Sequence, residues 1–376
     1  MAGIYIHIPF CKQACHYCDF HFSTSMRHKD DMVSAILQEI ELRKNYLENT
    51  PIKSIYFGGG TPSLLSSQEI NRIIDMIYHT QQVENTIEIT LEANPDDLTA
   101  EKVKDLRGTP VNRFSIGVQS FYEEDLRWMN RAHNAQEAES SIKRAQDAGF
   151  TNITCDLIYG YPLLSDTKWI NNIDRMAEFE VPHLSAYSMT VEPQTALGAF
   201  IRKGTQQPMN EGQSADQFIL LMQKMGENGY EQYEISNFAR NQQYSKHNTS
   251  YWQGVPYIGI GPSAHSFNGR ERQWNVANNM KYLQALADKQ IPAEKEILRE
   301  SDKFNEYIMT SLRTKWGVDY AYLEKTFDSD FLLEMRKPLD MYIDKGKIEN
   351  KEGHYVLTEQ GKLIADQIAS DLFITF

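Results

Sequence analysis

The 376-residue sequence lacks any long hydrophobic run. No apolar stretch approaches the ~20 residues that a membrane-spanning helix needs, so no transmembrane segment is expected. The amino terminus also lacks the charged segment and following apolar segment of a signal peptide, which predicts a cytoplasmic protein. Hydrophobic residues make up 41% and charged residues 24% of the chain, which is typical of a folded globular protein rather than a disordered one.

Basic residues are the minority among the charged side chains. The sequence has 38 Lys and Arg against 51 Asp and Glu, which gives a net charge of −13. Neutralisation of phosphates supplies most non-specific affinity for nucleic acids, and no long Lys/Arg run offsets the acidic balance. The sequence therefore argues against a nucleic acid partner and against binding to anionic membranes. A small-molecule or protein partner is expected.

Cysteine is scarce, with only four residues in the chain, yet three of them fall within eight positions. Cys11, Cys15 and Cys18 have the spacing C-x3-C-x2-C. In a reducing compartment such clustered thiols more often bind a metal centre than form disulfides, and a disulfide would leave one thiol unpaired. A zinc site completed by His16 or His21 is one alternative. A [4Fe–4S] cluster held by three thiolates, with one iron left open, is the other.

The first two-thirds of the chain alternate short apolar runs with amphipathic segments, from IYIHI at residues 4–8 to HLSAYSMTVEP at residues 183–193. Such alternation predicts parallel strands joined by right-handed helical crossovers. Six units predict an α/β fold, a partial (β/α)6 TIM-like barrel, with a doubly wound sheet as the structural alternative. In either fold the functional residues are expected at the carboxyl ends of the strands. Cys155, inside one predicted strand, is expected to be a core residue.

The alternation ends near residue 195, and three regions are predicted. Residues 1–240 are expected to form the partial barrel, and residues 241–285 a linking segment in which residues 245–275 are irregular. Residues 286–376 are expected to form a smaller C-terminal helical domain of winged-helix type. Its last helix is expected to begin at Thr358, a typical N-cap residue.

Polar residues follow several of the predicted strands. The glycine-rich segment FGGGTP at residues 57–62 ends the second strand, and glycines let a backbone approach a ligand closely. Glu92 ends the third strand, Gln119 and Arg131 follow the fourth, and Asp156 lies in the fifth. These side chains are candidates for one site. A buried turn carboxylate is the alternative for Asp156, and a surface helix residue is the alternative for Arg131.

The cysteine spacing and the glycine-rich segment together resemble the radical S-adenosylmethionine superfamily. The resemblance implies that Cys11, Cys15 and Cys18 hold a [4Fe–4S] cluster whose open iron binds S-adenosylmethionine, the source of a 5′-deoxyadenosyl radical. Four aromatic residues are expected to shield the cluster from water: Tyr5, Tyr17, Phe20 and Phe22. The cofactor contacts implied by the resemblance are Tyr5, Tyr17, Gly59, Gly60, Thr61, Glu92, Gln119, Arg131 and Asp156.

Along roughly its full length the sequence resembles the oxygen-independent coproporphyrinogen III dehydrogenase family and its relatives, the HemW family of haem chaperones. The segments that carry this resemblance include IYIHIPFCKQACHYCDF, IYFGGGTPS, LEANPDDL, RFSIGVQSF, DLIYGYP and GHYVLTEQGKLIADQI. Where the dehydrogenases have a further cysteine, this sequence has Phe20. Residues 247–252, HNTSYW, match the HNxxYW motif associated with the chaperones. This combination favours the chaperone branch.

The chaperone branch implies a protein that binds the cluster, S-adenosylmethionine and haem, and delivers the haem to an apo-haemoprotein with the help of a reductant. His247 is the implied haem contact, Tyr251 and Trp252 offer flat apolar surfaces, and His265 is a second candidate ligand. The alternative is a coproporphyrinogen III oxidase, which decarboxylates propionates in porphyrin biosynthesis. A purely structural role for the motif, with His247 only a hydrogen-bonding residue, also stays open.

Overall fold

The computed structural model describes residues 1–375, and its first half alternates strands with helices. The strands are β1 (Ala2–Ile8), β2 (Ile52–Gly59), β3 (Val83–Ala93), β4 (Arg113–Gln119), β5 (Ile153–Tyr159) and β6 (His183–Ser188). The helices between them are α1 (Lys29–Leu42), α2 (Ser67–Thr80), α3 (Ala100–Leu106), α4 (Glu123–Trp128), α5 (Ala135–Asp147) and α6 (Asp166–Glu178). Apart from the short α4, these elements lie where the apolar periodicity predicts them.

The six strands form the parallel centre of one sheet. β1 to β6 are neighbours in chain order, and each pairs in parallel with the next. The helices supply the long connections that parallel strands need. Along β1, Ile4, Ile6 and Ile8 are buried in the main hydrophobic core, whereas the intervening Tyr5 and His7 line a cavity on the other face. The predicted partial barrel is confirmed.

Helix α2 illustrates how the sequence sets the start of a helix. The Ser66 hydroxyl accepts a hydrogen bond from the Glu69 amide at 3.2 Å, and the Glu69 carboxylate accepts one from the Ser66 amide at 2.7 Å. This reciprocal capping satisfies two backbone donors that would otherwise lack a partner. Four isoleucines at helical spacing then bury one face of the helix: Ile70, Ile73, Ile74 and Ile77.

Beyond β6 the chain extends the sheet at both edges. The elements are α7 (Ala196–Arg202), α8 (Glu211–Glu227), β7 (Glu231–Glu234), β8 (Asn237–Ala239), α9 (Lys246–Trp252), β9 (Tyr257–Ile260), β10 (His265–Phe267), β11 (Glu271–Asn275), α10 (Asn279–Ala287) and β12 (Ala293–Ile297). The β7–β8 hairpin pairs antiparallel with β6. β9 pairs in parallel with β1, and β10, β11 and β12 follow it in antiparallel order.

The prediction of irregular structure for residues 245–275 is therefore wrong. The strands there are only three to five residues long and rich in glycine and aromatic residues, so their alternation is too short to be recognised in the sequence. The domain boundaries at residues 240 and 285 stay a prediction. The main sheet continues past both of them as far as Ile297.

The C-terminal region has a hydrophobic core of its own, which includes Phe304, Ile308 and Leu339. Its elements are α11 (Glu300–Leu312), β13 (Val318–Asp319), α12 (Tyr320–Thr326), α13 (Ser329–Asp344), β14 (Ile348–Lys351), β15 (His354–Leu357), α14 (Glu359–Lys362) and α15 (Ala365–Asp371). Thr358 caps α14 as predicted, accepting a hydrogen bond from the Gly361 amide at 3.1 Å. The predicted small helical domain is confirmed. Of the helices in the described residues, none is long and apolar enough to cross a membrane.

A buried carboxylate joins the barrel to the C-terminal region. The Glu234 side chain in β7 is only 1% exposed and accepts hydrogen bonds from the Asn237 amide group at 2.6 Å and the Ser236 backbone at 3.0 Å. Arg313, directly after α11, brings its Nε to 3.3 Å from the same carboxylate. Burial raises the pKa of Glu234, and the charge of Arg313 opposes that rise. The C-terminal region thus compensates a charge buried in the barrel.

Replacement of Arg313 should therefore destabilise the protein. We expect Arg313→Ala to lower the free energy of unfolding by about 2 kcal/mol, because Glu234 would keep its desolvation cost without its ionic partner. The matched control is Arg336→Ala, which removes an exposed pair with Asp340 at 3.9 Å and should change stability by less than about 0.5 kcal/mol. Thermal and denaturant unfolding measure both variants, and equal losses would contradict the role of Arg313.

Candidate functional site

The inner face of the parallel strands encloses a cavity of about 890 Å³. Side chains alternate between the two faces of a strand, so every second residue of β1 to β6 faces this cavity. These inward residues are mostly polar, and they include Tyr5, Tyr56, Glu92, Arg113 and Asp156. A polar interior that is open to ligands distinguishes this barrel from one filled by packed apolar side chains.

The three clustered cysteines lie at one end of the cavity, in the loop that follows β1. Cys11, Cys15 and Cys18 are free, partly buried, and line the cavity together. Burial raises the pKa of the Cys18 thiol to about 12, and the nearby Cys15 and Cys11 raise it further. Burial also raises the pKa of Cys11, which a hydrogen bond from Thr61 partly offsets. The thiols are therefore close enough to influence one another, and a positive metal centre would favour their ionised form.

The two histidines of the zinc alternative are engaged elsewhere. His16 Nδ1 lies 2.9 Å from the carbonyl oxygen of Trp128, and His21 Nε2 lies 2.7 Å from the side-chain oxygen of Asn279. Within residues 1–375, no group of three or more His, Cys, Asp or Glu side chains is arranged to hold a single metal ion.

The glycine-rich segment packs directly against the cysteine loop. The Gly60 amide donates to the Ile8 carbonyl at 2.9 Å, and the Thr61 amide donates to the Phe10 carbonyl at 2.7 Å. A Cβ atom on Gly60 would lie 2.5 Å from the Phe10 carbonyl oxygen, closer than two such atoms can approach. Only glycine permits this close contact between two backbones, so the segment supports the loop that carries the thiols.

Arg131 connects the cysteine loop to the barrel and is not a surface helix residue. Its Nη1 lies 3.3 Å from Cys15 Sγ and 3.5 Å from the Tyr17 hydroxyl. Its Nη2 donates to the Asn94 side chain at 2.6 Å and to the Gly117 carbonyl at 2.9 Å. One guanidinium therefore orients both Tyr17 and the second thiol of the cluster.

Two carboxylates face the middle of the cavity. Glu92 accepts a hydrogen bond from the Tyr56 hydroxyl at 2.7 Å, and Asp156 accepts one from Ser115 at 3.3 Å. Burial raises the pKa of Glu92 to about 7, with the charge of Asp156 adding to the rise. Burial likewise raises the pKa of Asp156 to about 6. A ligand that offers an ammonium group or hydroxyl donors would stabilise their ionised forms.

Gln119 adopts an unusual backbone conformation at the end of β4. Its φ angle is +67°, in the left-handed region that side chains other than glycine seldom adopt. Its side-chain oxygen is buried and has no hydrogen-bond partner within the described residues. A strained residue with an unsatisfied buried acceptor at a cavity wall is a feature of ligand sites.

His247 lies at the opposite end of the barrel from the cysteines. Its Nδ1 is 2.9 Å from the Ser54 hydroxyl, and its ring stacks on Tyr56 with the centroids 5.1 Å apart. Ser54 pairs with Gly3 near the amino ends of β1 and β2. The expectation that all functional residues gather at the carboxyl ends is therefore wrong for His247. The reason is that β9 runs parallel to β1, so α9, which precedes β9, reaches the amino ends of the strands.

The aromatic residues around the thiols differ in exposure. Tyr17 and Phe22 are partly buried, whereas the Phe20 side chain is 67% exposed and lines the same cavity as the thiols, so its shielding of the cluster stays a prediction. Cys155 is fully buried in the core, as predicted.

Sequence reasoning missed several inward-facing residues, among them Ser54, Tyr56, Glu88, Arg113 and His183. The sequence pattern that could have identified them is a polar residue at every second position of an otherwise apolar strand.

Comparisons with known proteins agree with this geometry. Residues 5–176 match the radical SAM superfamily, and residues 298–364 match the HemN C-terminal domain. The protein named heme chaperone HemW in Bacillus subtilis (strain 168) is 34% identical over 371 residues, which covers 98% of each chain. The chain belongs to the HemW family. The relative of that name in Escherichia coli (strain K12) is 32% identical over 99% of this chain and 98% of its own.

The similarity of this HemW family member to one solved structure covers the whole fold. Coproporphyrinogen III oxidase (HemN) from Escherichia coli, titled as a radical SAM enzyme, superposes with a TM-score of 0.86. It shares 25% sequence identity, over 99% of this chain and 90% of the oxidase. The C-terminal region is therefore part of the similarity as well as the barrel.

Membership of the radical SAM superfamily brings a [4Fe–4S] cluster and S-adenosylmethionine as cofactors. The residues present fit both. Three free thiols suit a soft metal centre and leave one iron open. Glu92, Asp156 and the unsatisfied Gln119 oxygen are acceptors suited to the ammonium and hydroxyl groups of S-adenosylmethionine. When bound, the two groups supply one-electron radical chemistry, while the side chains hold and orient them.

The thiols can be tested one at a time. We expect Cys11→Ala, Cys15→Ala and Cys18→Ala each to abolish the visible absorbance of the cluster after anaerobic reconstitution. Cys155→Ala is the matched control and should keep the absorbance, because Cys155 is buried in the core. Equal loss in Cys155→Ala would mean that the ligand set is wrong.

The support of the cysteine loop by Gly60 gives a second test. We expect Gly60→Ala to weaken cluster binding about tenfold or more, because the added methyl group would push the loop away from β1 and displace the thiols. Gly226→Ala is the control, since a Cβ there meets no described atom within 4 Å. Iron and sulfide per chain after desalting are the measurements. Retention of a full cluster by Gly60→Ala would contradict the packing argument.

Proposed function

We propose that this protein is a haem chaperone of the radical SAM type, which binds haem and delivers it to apo-haemoproteins. One observation carries the proposal within the fold: a single cavity extends from the three thiols to α9, so the cluster loop and the HNxxYW motif border the same space. Near full-length similarity to proteins named heme chaperone HemW supports it from sequence.

The roles of individual residues form part of this proposal. Cys11, Cys15 and Cys18 hold the cluster, and Arg131 orients Tyr17 above it. The glycine-rich segment and the acceptors of the barrel wall bind S-adenosylmethionine, namely Tyr5, Gly59, Gly60, Thr61, Glu92, Gln119 and Asp156. At the other end of the cavity, the motif that begins at His247 borders the haem.

The main alternative is oxygen-independent oxidation of coproporphyrinogen III, the activity named for the similar structure from Escherichia coli. A macrocycle with propionate groups is the ligand in both cases, so overall shape does not separate the two functions. Phe20 favours the chaperone, because the dehydrogenase branch resembled by the sequence has a cysteine there. The Phe20 side chain is exposed at the edge of the cavity, so this position of the cavity has an aromatic ring and no thiol.

A haem chaperone of this type needs two protein partners and a reducing compartment. An apo-haemoprotein must accept the haem, and a reductant must supply electrons to the cluster. A reducing compartment such as the cytoplasm suits the three thiols, which are free and must remain so to bind iron.

The decisive experiment compares haem binding with porphyrinogen conversion by the anaerobically reconstituted protein. We expect haemin to bind with a shift of its Soret band, and the bound haem to pass to added apomyoglobin. Under the same conditions with S-adenosylmethionine and a reductant, we expect coproporphyrinogen III to remain unconverted. Conversion to the divinyl product would favour the oxidase, and an unperturbed Soret band would contradict the chaperone.

A further inference from the structure

A second ring-lined surface continues the barrel cavity past β1. Residues paired across neighbouring strands point to the same face of a sheet. Tyr257 pairs with Gly3 of the barrel interior and with Phe267, which in turn pairs with Arg272. In the next row along the strands, His265 pairs with Trp274. We call the inward side of β9, β10 and β11 the aromatic face. It is formed by Tyr257, His265, Phe267, Arg272 and Trp274.

The rings of the aromatic face form two neighbouring pairs, one of which packs against α9. Tyr257 and Phe267 have ring centroids 6.4 Å apart, and those of His265 and Trp274 are 6.3 Å apart with their planes inclined by 30°. Tyr251 of α9 packs on Tyr257 at 5.6 Å and is still 42% exposed. Three neighbouring strands span roughly 10 Å, so the surface is broad as well as aromatic. Such a surface suits a flat apolar ligand.

The two candidate histidines differ in how firmly neighbouring residues hold them. His247 uses Nδ1 in its contact with Ser54, its ring contacts both Tyr56 and Tyr5, and its backbone amide donates to Glu88 at 3.2 Å. These contacts fix the start of α9. His265, by contrast, is exposed, lines the cavity, and has no hydrogen bond from its ring to any described residue. Burial lowers the pKa of both histidines, with Arg272 adding to the effect at His265 and Arg113 at His247, so both favour the neutral imidazole that binds metals.

We propose that haem binds on the aromatic face, with His265 as the axial ligand of its iron and Tyr251 against the macrocycle. His247 is then a positioning residue that fixes α9 so that Tyr251 faces the haem. This inference rests on the proposed chaperone function and adds to it a ligand and a surface.

A cation at the edge of the aromatic face supports the choice of haem. The Arg272 guanidinium lies 5.1 Å from the Phe267 ring and lines the cavity. Glu306 of the C-terminal region holds its Nε at 2.6 Å, which fixes the guanidinium in place. Haem combines a flat apolar ring with anionic propionates, and the face combines aromatic rings with a fixed cation.

Haemin titration of four matched proteins tests the assignment. The four proteins are the unmodified protein and the variants His265→Ala, His247→Asn and His79→Ala. His247→Asn keeps a hydrogen-bond acceptor for Ser54 but has no imidazole to ligate haem iron. His79 is exposed and remote from the cavity, so His79→Ala is the control. We expect His265→Ala to lose the ligated Soret band and to bind haemin about tenfold or more weakly. His79→Ala should keep the wild-type band and affinity, whereas His247→Asn should keep the position of the band but bind haemin more weakly, because α9 loses part of its anchor. Free imidazole should restore the band of haem that stays with His265→Ala through gel filtration, which shows that the variant is folded and retains the binding surface.

Each outcome decides a separate point. A wild-type Soret band in His265→Ala would overturn the ligand assignment while leaving the chaperone function intact. Loss of the band in His247→Asn would overturn its role as a positioning residue. Failure of the unmodified protein to bind haemin would instead contradict the proposed function itself.

Discussion

The polar side chains buried inside the barrel need hydrogen-bond and ionic partners, and the rest of the structure depends on how those partners are provided. Arg113, at the first position of β4, is almost fully buried and donates to the hydroxyls of Thr90 and Thr154. Its Nε lies 3.9 Å from the Glu88 carboxylate, which in turn accepts a hydrogen bond from the His247 amide. A buried charge without such partners would cost several kcal/mol. The amino-terminal end of the barrel is therefore closed by α9, whose backbone helps to satisfy this network.

The carboxyl-terminal end of the barrel also contains polar groups without partners. Glu92 and Asp156 share a buried space, and their mutual charge helps to raise the pKa of Glu92. Gln119 has an unsatisfied oxygen, and Arg131 has an unpaired Nε among the described residues. Polar groups of this kind are destabilising in an empty protein and gain free energy when a polar cofactor provides the missing contacts. Arg113 Nε and side-chain atoms of Thr249 and Trp252 in α9 also lack hydrogen-bond partners among the described residues, so unsatisfied polar groups occur at both ends of the barrel.

The sequence predicted what depends on local patterns and missed what depends on long-range pairing. The N-cap at Thr358 and the burial of Cys155 follow from a few neighbouring residues, and both are present. The position of His247 depends on β9 pairing in parallel with β1, more than 250 residues earlier in the chain. The motif predicted a functional role for His247, which stays a prediction, and its neighbours Ser54 and Tyr56 were visible only after folding.

The C-terminal region contributes to the site through Arg313 and Glu306 rather than through the cavity wall. Arg313 lies over the Trp252 ring at 5.2 Å and also pairs with the buried Glu234, so it joins the end of α9 to the edge of the barrel. Glu306 in α11 fixes Arg272 beside the aromatic face. Both ends of that face are therefore held by contacts from outside the barrel. A barrel deprived of this region would retain its thiols, yet α9 and Arg272 would lose the partners that determine their positions.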